Sequence, residues 1–342
     1  MLFSITGACF VLMLSLTARA EALPSWERYK ALFVAQDGRV IDYGQGQVTT
    51  SEGQGYGMLL SVYHDDRKTF DSIWTWSRSN LGVRKDSLMA WLWGRRPNNT
   101  WEVMDYNNAT DGDTLIALAL LKAAGRWHHD EYRQEAKLIL RSIREKLSVS
   151  RSGRTYLLPG YFGFTDEDSV TLNPSYLIFP AYRLFAEVDD KAFWDRLHGD
   201  SLDLLKKASF GENRLPPDWL RLKGDIVEID EQRSTRFGYD AVRVFLHLSW
   251  EKGIMPGGLG HVLEIYRKKG YIPRWVDLKG GDISTNSAHA GIYAIYGLAA
   301  RKAGDQKVSQ DLLKEAATRL EDEGRDYYSY SLFLLSGIED MI

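Results

Sequence analysis

The sequence predicts an all-α fold, a single barrel of paired helices. Helical spacing of apolar residues returns about twelve times along the 342 residues. Successive segments alternate between apolar nearly all round and apolar on one side only. No Pro/Gly/Ser-rich linker, charge block or low-complexity tract divides residues 21–342, so these helices are expected to form one domain.

In chain order the helices are expected near 25–35, 53–64, 66–80, 112–125, 129–147, 174–187, 189–208, 238–252, 257–269, 287–303, 307–319 and 325–337. The stretch 113–125 (Asp-Thr-Leu-Ile-Ala-Leu-Ala-Leu-Leu-Lys-Ala-Ala-Gly) has almost no polar face and must be covered on both sides. The stretch from residue 129 (His-Asp-Glu-Tyr-Arg-Gln-Glu-Ala-Lys) keeps one charged face for water. Buried helices paired with amphipathic ones give a barrel of helical hairpins. Strand signals are few, Tyr156–Leu158 with Phe162–Phe164 and Asp225–Ile229, and read as small excursions from a helical body. Connections near 37–51, 82–110, 148–172, 209–236 and 270–286 are long, and long loops in a compact domain tend to carry function.

The chain opens on an apolar run, Leu2 to Leu16, followed by Ala18-Arg19-Ala20, the small-x-small pattern of a signal-peptidase site. Residues 1–20 are therefore expected to be a signal peptide and 21–342 the mature domain. The run is short for a comfortable membrane span, although an anchor is the alternative. Cleavage removes Cys9, the only cysteine, so the mature chain is expected to have neither disulfide nor thiol chemistry. A net charge of −3 leaves no basic footprint for nucleic acid and no polybasic membrane patch. Eleven Trp and eighteen Tyr exceed what packing alone usually uses; flat rings suit the CH-rich faces of sugars, and a well-packed aromatic core is the other reading.

Three polar clusters fall at the loop–helix junctions. In Ser51-Glu52-Gly53-Gln54-Gly55-Tyr56-Gly57-Met58, Ser51 can cap a helix and Glu52 sits in its first turn, either complementing the helix dipole or doing chemistry. The glycines let another backbone or a substrate approach. In Asp105-Tyr106-Asn107-Asn108-Ala109-Thr110-Asp111-Gly112-Asp113, Thr110 reads as a cap and Asp113 as its capping-box acid, which leaves Asp111 without a structural task. In Phe237-Gly238-Tyr239-Asp240-Ala241-Val242-Arg243, Asp240 and Arg243 lie three apart on one helical face and can pair. Metal and cofactor chemistry is not expected. The seven histidines have no His-x-x-x-His spacing, His128-His129 read as turn residues, and there is no Gly-x-Ser-x-Gly elbow or phosphate loop.

Taken together these stretches resemble glycosyl hydrolase family 8. Ala109-Thr110-Asp111-Gly112-Asp113 with Ile116-Ala117, Ala123 and Trp127 is similar to the family's signature segment. Ser51–Met58, Leu88-Met89-Ala90-Trp91, Asn173-Pro174-Ser175-Tyr176 and Tyr239-Asp240-Ala241-x-Arg243 resemble its other blocks in the same order. Ser87–Gly94 and Pro217-Asp218-Trp219 are most like the members encoded beside bacterial cellulose synthase. The likeness spans about residues 25–335.

The resemblance implies an (α/α)6 barrel, which agrees with the helix count, and an inverting endo-β-1,4-glucanase. It implies Glu52 as general acid, its proton retained through burial or a neighbouring charge that Asp111 supplies, and Asp240 as general base. Asp111 would also bind the sugar in the cleavage subsite, Arg243 orient Asp240, and Tyr176 hold the water or the distorted ring. Trp91 matches a sugar-stacking position, and Trp93, Trp101, Trp219, Trp275 and Tyr327 are further candidate platforms in the cleft. The implied partners are β-1,4-glucan chains and the cellulose synthase export complex, and the implied location is periplasmic or extracellular. Rival readings are a chitosanase, xylanase or mixed-linkage glucanase on the same fold, and a non-catalytic glucan-binding component of a polymer-export complex.

Overall fold

Among the described residues of the computed structural model, 24–251 and 257–338, twelve α-helices follow one another. They are α1 (Trp26–Phe33), α2 (Ser51–Tyr63), α3 (Arg67–Asn80), α4 (Thr110–Trp127), α5 (Asp130–Ser142), α6 (Phe179–Val188), α7 (Lys191–Lys207), α8 (Arg243–Ser249), α9 (Leu259–Lys269), α10 (Ala290–Lys302), α11 (Gln306–Glu323) and α12 (Tyr327–Ser336). The even-numbered helices touch in a closed ring, α2 on α4, α4 on α6, α6 on α8, α8 on α10, α10 on α12 and α12 on α2. The odd-numbered helices pack outside it, α1 on α12, α3 on α2, α5 on α4, α7 on α6, and α9 and α11 on α10. This is the (α/α)6 barrel.

The pattern of side chains explains which helix goes where. α4 buries an unbroken run from Thr110 to Leu121, so only a position inside the barrel covers it. α5 buries Tyr132, Ala136, Ile139 and Leu140, a stripe at i, i+4, i+7 and i+8 that suits an outer helix. The inner helices α2 and α4 come very close because each offers glycine to the other. A methyl group at Gly55 would lie 2.6 Å from Leu115 Cβ, and one at Gly112 would lie 2.8 Å from the Glu52 nitrogen.

Short strands occupy the long connections. β1 (Thr49–Thr50), β2 (Leu92–Arg95) and β3 (Trp101–Asp105) form one antiparallel sheet in that order. β4 (Ser148–Arg151) and β5 (Arg154–Leu157) form a hairpin. β6 (Ser169–Leu172), β7 (Leu220–Lys223) and β8 (Ile226–Ile229) form a second three-stranded sheet, and β9 (Arg236–Phe237) pairs with β10 (Val276–Asp277).

Several boundaries differ from expectation for identifiable reasons. The helix expected over 129–147 stops at Ser142 and ends in a π turn, Ile143–Leu147, whose last carbonyl accepts the Leu158 N–H. The segment from 174 opens as a 3₁₀ turn, Pro174–Tyr176, and α6 starts only at Phe179. Asp240 lies in the turn ahead of α8 rather than on the helix. The strand around Tyr156 pairs with β4 and not with Phe162–Phe164. Ser152 at φ 49° and Gly153 at φ 74° make a two-residue turn of the hairpin kind, which fixes that register. His128 does end α4 in a left-handed turn. The export segment expected over 1–20, with Cys9, lies outside the described residues. No helix among the described residues is long and apolar enough to cross a membrane.

Candidate active site

The starts of the inner helices converge on an open cleft of about 830 Å³. α2 contributes Ser51 and Glu52, α4 contributes Asp111, α8 and its preceding turn contribute Arg243 and Asp240, and α12 contributes Tyr327 and Tyr328. Tyr176, from the turn before α6, and Trp91 complete the group. Helix N-termini present the positive ends of their dipoles, which is where carboxylates are best tolerated.

Local hydrogen bonds hold each element in place, and some differ from the sequence reading. Thr50, not Ser51, caps α2, its hydroxyl accepting the Gly53 N–H at 3.0 Å. Thr110 is not a cap either; its hydroxyl donates to Leu158 O at 2.6 Å and so fastens α4 to the loop beyond β5. Asp113 reaches sideways, accepting the Met89 N–H at 2.8 Å and the Asn108 side-chain amide at 2.9 Å. Trp91 is therefore stitched on both sides: its carbonyl takes the Ser51 N–H at 3.0 Å and its N–H goes to Asn107 O at 2.8 Å. Burial pushes the Asp113 carboxyl up to about 7.

Arg243 organises the charges. Its Nη2 donates to Asp240 Oδ1 at 3.0 Å and to the Ser175 hydroxyl at 2.9 Å. Its Nη1 lies directly against Glu52 and 3.4 Å from Asp111 Oδ2. Tyr56 donates its hydroxyl to Glu52 Oε1 at 2.9 Å. The neighbour of Glu52 is thus the Arg243 cation with Tyr56, and not, as expected, Asp111, which reaches Glu52 only through that guanidinium. Three carboxylates share one positive charge. Burial pushes Asp111 up to about 8, with Asp240 and Asp113 adding repulsion. Burial and the nearby Asp218 carboxylate push Asp240 up to about 7. Tyr56 and Tyr176 are held well above the usual phenol range by burial and remain proton donors.

Exposure separates the carboxylates. Asp111 is 5% exposed and Glu52 19%, whereas Asp240, surrounded by protein closely enough for burial to raise it, is still 37% exposed on its cleft side.

The outlying aromatics do not gather here. Trp93 and Trp101 stack on each other at 5.2 Å beside Arg39 and line a separate shallow groove. Trp219 stacks on Phe164 at 6.1 Å with Arg233 over both rings. Trp275 lies under Arg236. Their spacing in sequence carries no information about which loop folds over the barrel mouth, so these four positions read alike from sequence and differ in space. Tyr327 does line the cleft, but it is 5% exposed and its ring packs edge-on against Phe33.

Sequence reasoning assigned no role to Tyr56, Asn173, Ser175 or Tyr328, although the first three stand inside the quoted motifs. At the cleft rim His289, Glu323 and Asp326 bring ligand-type atoms within 4.8 Å of one another. Each is already engaged: Glu323 accepts the Ala290 N–H at 2.9 Å, Asp326 the Ser329 N–H at 2.9 Å, and His289 Nδ1 lies 3.1 Å from Asp326. They tie the starts of α10 and α12 together.

A helical barrel whose mouth gathers carboxylates beside aromatic rings suits a glycoside hydrolase. The sequence profile of "Glycosyl hydrolases family 8" matches residues 4–340, and the chain belongs to that family. An endoglucanase of Cellulomonas uda is 41% identical over 69% of this chain and 65% of its own length. A probable endoglucanase of Novacetimonas hansenii is 35% identical over 91% of this chain and 88% of its own. The solved endo-β-1,4-glucanase CMCax of Acetobacter xylinum superposes with a TM-score of 0.81 at 34% identity, covering 92% of this chain and 96% of that one.

Proposed function

We propose that Glu52 donates the proton, and Asp240 activates the water, with which this family 8 hydrolase cuts β-1,4-glucan within the chain. It is an endo-β-1,4-glucanase and works by inversion. The observation that carries the assignment of roles is the pair of carboxylates on separate arms of the Arg243 guanidinium, both lining the cleft and Asp240 the more exposed of the two.

Inversion requires an acid at the leaving oxygen and a base on the other face of the sugar, with a water between base and anomeric carbon. Asp240 is the carboxylate that water reaches, and a proton affinity near neutrality lets it take a proton while being substantially ionised at pH 7. Glu52, held by Tyr56 and Arg243, faces the same cleft from α2. Burial raises Asp111 to about 8 and Asp240 to about 7, so this cluster of carboxylates around one guanidinium exchanges protons near neutral pH. Asp111, nearly enclosed, suits hydrogen bonding to the sugar in the cleavage subsite. Tyr176 stands against Arg243 in the same cleft and suits holding the water or the distorted ring, and Trp91 supplies the stacking face.

Reducing-end release from carboxymethyl-cellulose, compared with xylan and chitosan, tests the substrate: release is expected from the first. Proton NMR of the first product is expected to show the α anomer; the β anomer would mean retention and a different role for Asp240.

Export and company belong to the same proposal. Cleavage after Ala20, supported by the apolar run and Ala18-Arg19-Ala20, would free the enzyme into the periplasm or beyond. Work beside a cellulose synthase export complex is supported by Ser87–Gly94 and Pro217-Asp218-Trp219. Mass spectrometry of the exported protein checks the cleavage; an N-terminus retaining Leu2 would refute it.

A further inference from the structure

We propose that Asp218 is the positioning residue of the general base: it holds the turn that presents Asp240 and places a negative charge behind it. The inference rests on Asp240 being the base.

Asp218 comes from the loop before β7 and does not line the cleft, yet it is largely buried behind the Asp240 turn. Its Oδ1 accepts the Gly238 N–H at 2.9 Å and the Ala241 N–H at 3.0 Å, and its Oδ2 accepts the Ser234 hydroxyl at 3.2 Å. One carboxylate therefore clamps both ends of Gly238-Tyr239-Asp240-Ala241, the stretch that α8 leaves outside its regular helix. Gly238 makes room for it: a methyl group there would lie 3.0 Å from Asp218 Oδ2. The Asp218 backbone is anchored in turn, its N–H donating to Arg236 O at 2.7 Å. With Oδ1 taken up by backbone N–H groups and Oδ2 by a hydroxyl, the carboxylate is fixed in place. Burial pushes its own carboxyl up, these hydrogen bonds favour its ionised form, and that charge is felt by the neighbour it supports.

Asp240 has other charged and titratable neighbours on every side. Arg243 on α8 pairs with it, Asp111 on α4 and Glu52 on α2 lie across that guanidinium, and Tyr176 and Tyr328 interact with it from the turn before α6 and from α12. Tyr328 also donates its hydroxyl to Tyr239 O at 2.9 Å, so the turn is held from a second side. Among these groups Asp218 is the anion placed behind Asp240, away from substrate. Asp218 itself does not line the cleft, so its replacement removes no cleft-lining side chain.

The test separates charge from clamp in the full-length enzyme, with carboxymethyl-cellulose as substrate. Asp218→Asn keeps an oxygen for the two N–H groups and removes the charge. Its acidic limb in the kcat–pH profile is expected to move down by about half a unit to one unit, with kcat at the plateau within about tenfold of wild type. Asp218→Ala also removes the clamp, and kcat is expected to fall about a hundredfold or more with KM little changed; the Asn variant then stands as the rescue. Should the Ala variant fail to fold, the Asn profile decides alone. An Asn variant whose acidic limb stays where wild type has it would overturn the proposal. So would Asp240→Asn retaining activity, which would remove the base assignment as well and is thereby told apart from failure of the Asp218 role alone.

Discussion

The two ends of α8 carry two enclosed acid clusters with opposite charge balance. At its start Arg243 serves Glu52, Asp111 and Asp240. Just beyond its last turn Glu251 is fully enclosed and meets the Arg183 guanidinium and the His198 ring, the latter at 3.4 Å. Burial acts on both clusters in the same direction, against ionised carboxylates. At Glu251 that push is overcome by His198 and Arg183, and its carboxyl lies below the usual range. At the cleft one guanidinium cannot compensate three acids, so Asp111 and Asp240 rise to about 8 and about 7. The same ingredients thus make a structural ion pair where cations match acids, and a proton-exchanging site where acids are in excess.

This comparison can be broken or sharpened by experiment. The largest effect is expected from Glu52→Gln and Asp240→Asn, each lowering kcat by about 10³- to 10⁴-fold. The melting curve and oligosaccharide binding by calorimetry should be preserved; a fully active Glu52→Gln enzyme would sink the assignment. Glu251→Gln should do the reverse, costing about 1–3 kcal/mol in denaturant unfolding while leaving kcat unchanged. The lower end of that range is favoured because Arg183 is 52% exposed and water can compensate it.

Asp111→Asn should separate function from stability. Asp111 and Asp240 bind protons more tightly folded than unfolded. Their contribution is fully present below the ordinary aspartate value near 4 and is lost as pH rises through about 7 to 8. The variant should lose about a hundredfold in kcat yet melt about 2–4 °C higher than wild type at pH 8, with no gain at pH 4. Equal melting at both pH values would show that the acids are not in excess. The pH profile of the wild-type enzyme is expected to fall on the acidic side with a midpoint near 7, as Asp240 protonates. The smallest effect belongs to Trp91→Ala, which should raise KM for the polymer by about tenfold with little change in kcat.

Much of the fold was legible because helix periodicity is a local property. The alternation between α4, apolar on all sides, and α5, with one charged face, announced an inner and an outer layer. Glu52, Asp111 and Asp240 were legible as acids at loop–helix junctions, and the roles proposed for them came from the family resemblance. Partners were not legible. Nothing in the spacing of Thr110 and Asp113 shows that one reaches Leu158 and the other Met89, since each contact crosses from one connection to another. The strands paired with partners that pattern could not choose, and the β4–β5 hairpin was decided by the left-handed Ser152-Gly153 turn. Trp93 and Trp101 sit only two and ten residues beyond Trp91, yet β2 and β3 carry them to a different groove.

The sequence by itself determined the helices, their inner or outer character, and the acids available at their starts, because those follow from nearest neighbours along the chain. Only the tertiary structure decided that three of those acids would depend on one arginine and that a fourth, Asp218, would stand behind the turn of Asp240. Charge balance is a property of the groups that meet in space. Three helix starts and the loop before β7 had to come together before it existed.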